Sequence, residues 1–221
     1  TLKIYGEILH AALPSLCRQG LASVASVVLY FAAAPYEDAA IAAMSIVTRF
    51  MMFINSSLIG FGQGFQPVCG FNFGAKRYDR VLEAYWFCVK VAVAMLTFFG
   101  IVAFVFSRPI LTLFRREDLR VIEIGTLALR LQLLTMPFQA WVIMVNMLTQ
   151  SIGYGFRASL VAMGRQGIFL IPALLILPHI FGILGVQMAQ PIADMLTFAL
   201  ATGVVAGVLK ELGKLQKENI K

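Results

Sequence analysis

The chain has 221 residues, 60% of them hydrophobic and 13% charged, with a formal net charge of +7. A soluble domain is about 25% charged and a soluble helix carries a polar face along its length. Here residues 50–75, 131–156 and 166–193 hold no Asp, Glu, Lys or Arg, in runs of 26, 26 and 28 residues. Since about 20 apolar residues cross a bilayer as a helix, these runs exclude a soluble globular domain and point to an all-α polytopic membrane protein.

Six spans are predicted, at 10–33, 39–72, 84–106, 122–151, 158–180 and 183–209, forming a six-helix transmembrane bundle. Several exceed the minimum length, which implies tilt or extension beyond the lipid. The first carries Arg18, Gln19 and Gly20 and closes at Pro35, Glu37 and Asp38. The second carries Arg49 and Asn55 and ends in the basic loop Lys76, Arg77, Tyr78, Asp79, Arg80. The third holds Lys90 near its start, where the side chain can reach the interface. The loop after it, Ser107 to Arg120, contains a short amphipathic stretch, Pro109 to Phe114, expected at the interface or packed on the bundle. The fourth span carries Gln139 and Asn146, and Gly153-Tyr154-Gly155 follows it. The fifth holds Arg165, Gln166 and Gly167, and Gly182 and Gly185 punctuate the turn to the sixth, which holds Gln190, Pro191 and Asp194.

Positive charge sets the orientation. Lys3, Lys76, Arg77, Arg80, Arg157, Arg165, Lys210, Lys214, Lys217 and Lys221 fall on the side of the termini, ten in all. Arg108, Arg115, Arg116 and Arg120 fall on the other, four in all. Both termini are therefore expected in the cytoplasm. This loop bias, with no basic cluster interleaved with aromatics in a water-soluble stretch, accounts for the net charge without a nucleic-acid partner. Cys17, Cys69 and Cys88 lie in or beside apolar runs, in a spacing that fits no metal pattern, and are read as packing thiols. His10 and His179 are isolated, so neither a metal site nor a cofactor is expected.

Asp194 lies near the middle of the last span. A carboxylate at that depth costs on the order of 3 kcal/mol unless it is compensated. It is therefore expected either to handle a proton or cation, or to sit in a fixed ion pair, for which Arg18 and Arg49 are the partners considered. The amides Gln19, Asn55, Gln139, Asn146 and Gln190 carry a similar pair of readings, as helix-to-helix hydrogen bonds or as the lining of a wet path. Met44, Met51 and Met52 suit either core packing or a permissive apolar pocket.

The string GFGQGFQPVCGFNFGAK, residues 60–76, ends the second span. Gly60 and Gly64, and again Gly70 and Gly74, are four apart, which predicts close approach of a neighbouring helix. Pro67 predicts a kink, with Gln63 and Gln66 near enough to satisfy freed backbone groups. A close-packed, bendable, polar-lined helix suits a moving transport bundle better than a static anchor.

Extended to GFGQGFQPVCGFNFGAKRYDRV, the string resembles a signature of the multidrug and toxic compound extrusion (MATE) family. LPSLCRQGLASV, RQGIFLIPALLILP and GVQMAQPIADMLTF resemble further segments of its C-terminal half, in the same order. The resemblance runs from about Leu9 to Val208 and is nearest to the bacterial, MepA-like branch. It implies twelve helices in two lobes, this chain supplying helices seven to twelve, a drug-binding cleft between the lobes, and export driven by inward sodium or proton flow. The implied partners are the N-terminal lobe, the bilayer, and small cationic or amphiphilic drug-like substrates; the implied location is the plasma membrane. A start at Thr1 is read accordingly as a piece of a longer chain.

One departure stands out. Some relatives carry a cation site built from a Glu on the seventh helix and an Asp on the tenth. The matching positions here fall near Arg18-Gln19 and Val142, and neither is acidic. Coupling is then expected at Asp194 or in the other lobe. Arg18, Gln19, Asn55, Gln63, Gln66, Gln139, Asn146 and Gln190 are the candidates for cleft lining or gating, and Asp194 for coupling. A lipid-linked saccharide flippase of the same superfold is the alternative, kept open by Arg18, Arg49 and Arg165. A non-transporting scaffold would leave Asp194 unexplained, and a membrane enzyme would need paired acids, a metal cluster or a nucleophile with its base.

Overall fold

The computed structural model describes residues 19–115 and 118–219. Arg18, Cys17, His10 and Arg116 lie outside the described residues. The chain is almost wholly helical. α1 occupies residues 19–33; α2 is Glu37–Gly74, α3 Tyr78–Val105, α4 Ser107–Phe114, α5 Leu119–Leu134, α6 Met136–Ser151, α7 Gly155–Met163, α8 Leu170–Phe181 and α9 Ile183–Asn219.

Among the described residues four helical stretches are long and apolar enough to cross a membrane, and the bent pair α5–α6 makes a fifth. Residues 19–74 are nearly all helical, but one helix of 56 residues would be about 84 Å long at about 1.5 Å per residue, against a lipid core of about 30 Å. The chain turns instead at a 3-10 segment, Ala34–Tyr36, and at Glu37, whose φ of 76° no helix can hold. Gln19 of α1 and Gln63 of α2 then line one cavity, so the chain has doubled back. The chain is bent by 53° between α5 and α6, where Pro137 opens α6 without a backbone donor. That bend divides the single helix expected over 122–151.

α7 and α8 are joined by a π-turn, Gly164–Ile168, in which the Phe169 N–H bonds the Gly164 carbonyl at 3.1 Å. Gly182, at φ 61°, turns the chain into α9, and Gly185 packs directly on the Leu177 carbonyl. A glycine is required at 185 because a Cβ there would overlap backbone.

Contacts between distant segments sort the connections to two ends. The Tyr36 hydroxyl donates to the Pro178 carbonyl at 2.9 Å, and Gln187 reaches the Ile124 carbonyl at 3.0 Å, so the 34–36, α4–α5 and α8–α9 turns share one end. At the other, Gln66 bonds Gln150 at 3.0 Å and Arg157 pairs with Glu211 at 2.9 Å. The stretch from Ser107 forms the eight-residue α4, held by Leu111 against Gly125 and by an Arg130–Ser107 bond of 2.9 Å.

Large side chains face outward. Phe31, Phe53, Phe71, Phe87 and Phe98 are all exposed, whereas Ala43, Val47, Ala92, Leu129 and Ala201 are buried. In water that distribution would be costly; in lipid, where hydrocarbon solvates an aromatic side chain, small residues can be spent on helix contacts.

α2 runs through Pro67 as one element, and Gln66 beside it bonds Gln150 of α6. Among the described residues nothing approaches within 4 Å of a Cβ placed at Gly60, Gly64 or Gly74, whereas Gly70 meets the Ser151 carbonyl at 3.6 Å. The close approach of this bundle occurs elsewhere, at Gly125, Gly167 and Gly185.

Candidate functional site

Helical periodicity brings the amides together. On α2, Asn55, Gln63 and Gln66 lie within one stripe; on α5 and α6, Gln132, Gln139, Asn146 and Gln150 follow one another at spacings that repeat a helix face. The two stripes face each other across a cavity of about 560 Å³, closed by Gln19 of α1, Arg165 and Gln166 of the π-turn, and Gln190 of α9. Met44, Met51, Met52 and Met147 supply apolar wall, so the methionine stripe of α2 does line a pocket. Every sequence-selected amide is on this wall, and Arg18 lies outside the described residues.

The amides divide by what they bond. Asn146 donates to the Ala158 carbonyl at 2.7 Å, tying α6 to α7, and Gln66 to Gln150 ties α2 to α6. Gln139 and Gln190 both donate to Asp194. The Asn55 and Gln139 carbonyl oxygens are buried and, among the described residues, have no hydrogen-bond partner.

Asp194 is 1% exposed. Its Oδ1 accepts from Arg165 Nε at 2.9 Å and Gln190 Nε2 at 3.1 Å. Its Oδ2 accepts from Gln139 Nε2 and lies 3.4 Å from Thr135 Oγ1. Among the described residues the ion-pair partner is thus Arg165, and Arg49 is exposed on α2. This also corrects the side count, which placed Arg165 with the loop cations; its head reaches the bundle interior. The residues meeting at Asp194 come from beside three helix irregularities: the α5–α6 bend, the π-turn and Pro191 inside α9.

Sequence reasoning missed Thr135, Gln132 and Gln150. The seven-residue spacing of Gln132, Gln139 and Asn146 was a usable signal. Thr135 gave none, since threonine inside an apolar helix ordinarily bonds its own backbone. Among the described residues no group of three or more His, Cys, Asp or Glu side chains could hold a metal ion. Cys69 is buried and Cys88 half-buried.

Comparison with known proteins follows the same lines. The MatE family model matches residues 14–176. The chain is 25% identical over 211 residues to the multidrug export protein MepA of Staphylococcus aureus, covering 95% of this chain and 46% of that protein. It thus spans about half the length of the curated relatives it matches. Among solved structures, the Vibrio cholerae MATE transporter VcmN in its bent form superposes with a TM-score of 0.87 at 18% identity, over 97% of this chain and 49% of that one. A transporter of the MOP superfamily from Pyrococcus furiosus, described with a binding pocket of reverse polarity, superposes with a TM-score of 0.86 at 20% identity, over 98% and 48%.

Proposed function

We propose that this chain, which belongs to the MatE family, is the C-terminal lobe of a cation-coupled multidrug efflux antiporter that works by alternating access. The observation that carries the reading is the amide- and methionine-lined cavity, with a buried acid, Asp194, held behind its wall by Gln139, Arg165 and Gln190. Neutral amides offer hydrogen bonds in many directions, and methionine repacks around varied shapes. Such a wall accepts small cationic or amphiphilic drug-like molecules without demanding one shape.

The partner is an N-terminal lobe of similar size, consistent with a chain that spans 46% of its MepA relative. The site lies between lobes in the plasma membrane, with both ends of this segment in the cytoplasm. The coupling ion is sodium or a proton, Asp194 is the coupling acid in this lobe, and no other cofactor or chemistry of catalysis is needed. A lipid-linked saccharide flippase would call for cationic side chains free to meet phosphate. Arg165, the arginine on this wall among the described residues, is already paired with Asp194.

The test is ethidium efflux by the full-length parent, wild type and Asp194→Asn, in cells lacking their own pumps, with sodium and proton gradients collapsed separately. Gradient-dependent efflux lost in the variant at normal expression is the expected result. Efflux kept by the variant moves coupling to the other lobe, and no efflux by the wild type removes the exporter reading.

A further inference from the structure

Arg130 of α5 is held at two points. Its Nε donates to Ser107 Oγ at 2.9 Å, and its guanidinium lies over the Phe104 ring, 5.2 Å from the centroid. Ser107 is fully buried, so packing fixes this anchor. A guanidinium carries its N–H donors in a planar fork. The anchor uses the Nε edge, and among the described residues no hydrogen bond or ion pair takes the two Nη groups. Arg130 is nevertheless exposed, as is Arg108, the residue after its anchor, which forms no ion pair among the described residues either.

The surface around this cation is apolar. Leu127 and Leu134, about one turn to either side on α5, are exposed, and so are Phe104 and Phe106 just before Ser107. The face is not that of the cavity. Gln132 lines the cavity and, two residues on at about 100° per residue, lies about 200° around the helix from Arg130. The depth follows from α3, whose 28 residues make about 42 Å of helix against a lipid core of about 30 Å. Its far end, where Ser107 follows, reaches the headgroup layer of one leaflet. We propose that the junction of α3 and α4 seats an anionic phospholipid. The Nη fork of Arg130 holds two phosphate oxygens, Arg108 adds charge, and the exposed leucine and phenylalanine side chains meet the acyl chains.

The occupant follows from charge and surroundings together. A cation left in an apolar, lipid-facing surface is costly unless an anion meets it. A planar fork suits a phosphate, which accepts two parallel N–H bonds. A phospholipid brings that anion to this depth with hydrocarbon attached, whereas a water-soluble anion would gain nothing from Leu127, Leu134 or Phe106. The acid on the same face of α5, Glu123, is seven residues before Arg130, about 10 Å along the axis. It pairs with neither arginine among the described residues. Toward the turn, Arg115 and Arg120 are exposed, and the Asp118 carboxylate accepts from the Val121 N–H as the cap of α5. The balance is positive, which favours an anionic headgroup over a zwitterionic one that carries its own cation.

The experiment is native mass spectrometry of the purified full-length transporter in detergent. It is titrated with phosphatidylglycerol, with phosphatidylcholine, and with diacylglycerol, which keeps the acyl chains and lacks the phosphate. Arg130→Met is expected to hold one phosphatidylglycerol fewer than the wild type, that site being weakened at least about tenfold. Arg130→Lys should fall between the two, because a point charge lacks the fork. Arg80→Gln, in the loop at the other end of α3, should leave the site intact. Lipid counts unchanged in Arg130→Met overturn the proposal. So does an equal loss in Arg80→Gln, which would mean diffuse attraction of lipid to charge. Phosphatidylcholine or diacylglycerol filling the Arg130-dependent site as tightly as phosphatidylglycerol overturns it as well. Should Arg130→Met not be recovered folded, Phe104→Leu serves instead: it keeps the charge and an apolar surface but removes the ring beneath the guanidinium. Weakened phosphatidylglycerol binding is then expected, and unchanged binding overturns the proposal.

Discussion

Arg165 Nε lies 2.9 Å from Oδ1 of Asp194, joining the π-turn between α7 and α8 to α9. The acid is almost fully enclosed and the arginine side chain 17% exposed, so water screens the pair weakly. Removing one partner strands the other.

Asp194→Leu is therefore expected to destabilise the transporter by about 3 kcal/mol or more, the usual cost of an orphaned buried charge. The double variant Asp194→Leu with Arg165→Met should recover most of that loss, because a matched apolar pair strands nothing. Thermal unfolding followed by size-exclusion chromatography in detergent reads both. Equal losses in the single and double variants would deny the pair its structural part.

The Arg157–Glu211 pair sets the contrast. Its side chains are 42% and 44% exposed, so solvent screens it despite the same 2.9 Å separation. Glu211→Gln is expected to cost less than about 1 kcal/mol, and the cost should shrink further in high salt. A loss as large as that of Asp194→Leu in the same melting assay would contradict the burial argument.

Ser56 lines the cavity from α2 and, among the described residues, bonds its own helix at the Met52 carbonyl. Ser56→Trp places a large ring into about 560 Å³ without removing a cross-helix bond. Drug binding is expected to weaken about tenfold, corresponding to ~1.4 kcal/mol, with melting temperature unchanged. Fluorescence titration with ethidium on the purified protein measures it; unchanged affinity would place the drug elsewhere.

Glycine replacements should rank in the reverse of their sequence spacing. Gly185→Ala meets the Leu177 and Pro178 backbone and is expected to prevent folding or cost more than about 3 kcal/mol. Gly60→Ala and Gly64→Ala meet nothing in this lobe and should leave its melting within about 0.5 kcal/mol. A limited-proteolysis and melting series on the three variants decides the order.

Composition alone determined the solvent and the fold class. Runs of 26 to 28 residues without charge have no stable place but a bilayer, and helices satisfy every backbone group there. Periodicity within single helices also made the amide stripes legible, because neighbours three, four and seven residues apart share a face whatever packs against it. The polar string ending α2 carried the family resemblance. Tertiary structure decided who meets whom. Arg165 is 29 residues from Asp194 and Gln139 is 55 away, and no local rule ties such distances to a contact. The bend at Thr135 and the π-turn at Gly164–Ile168 are small departures from helical geometry with weak sequence marks, yet they aim the side chains that surround the acid. Glycine spacing is likewise no local guarantee of contact. A face of small residues permits close approach, but only the arrangement of the other helices determines whether a neighbour comes.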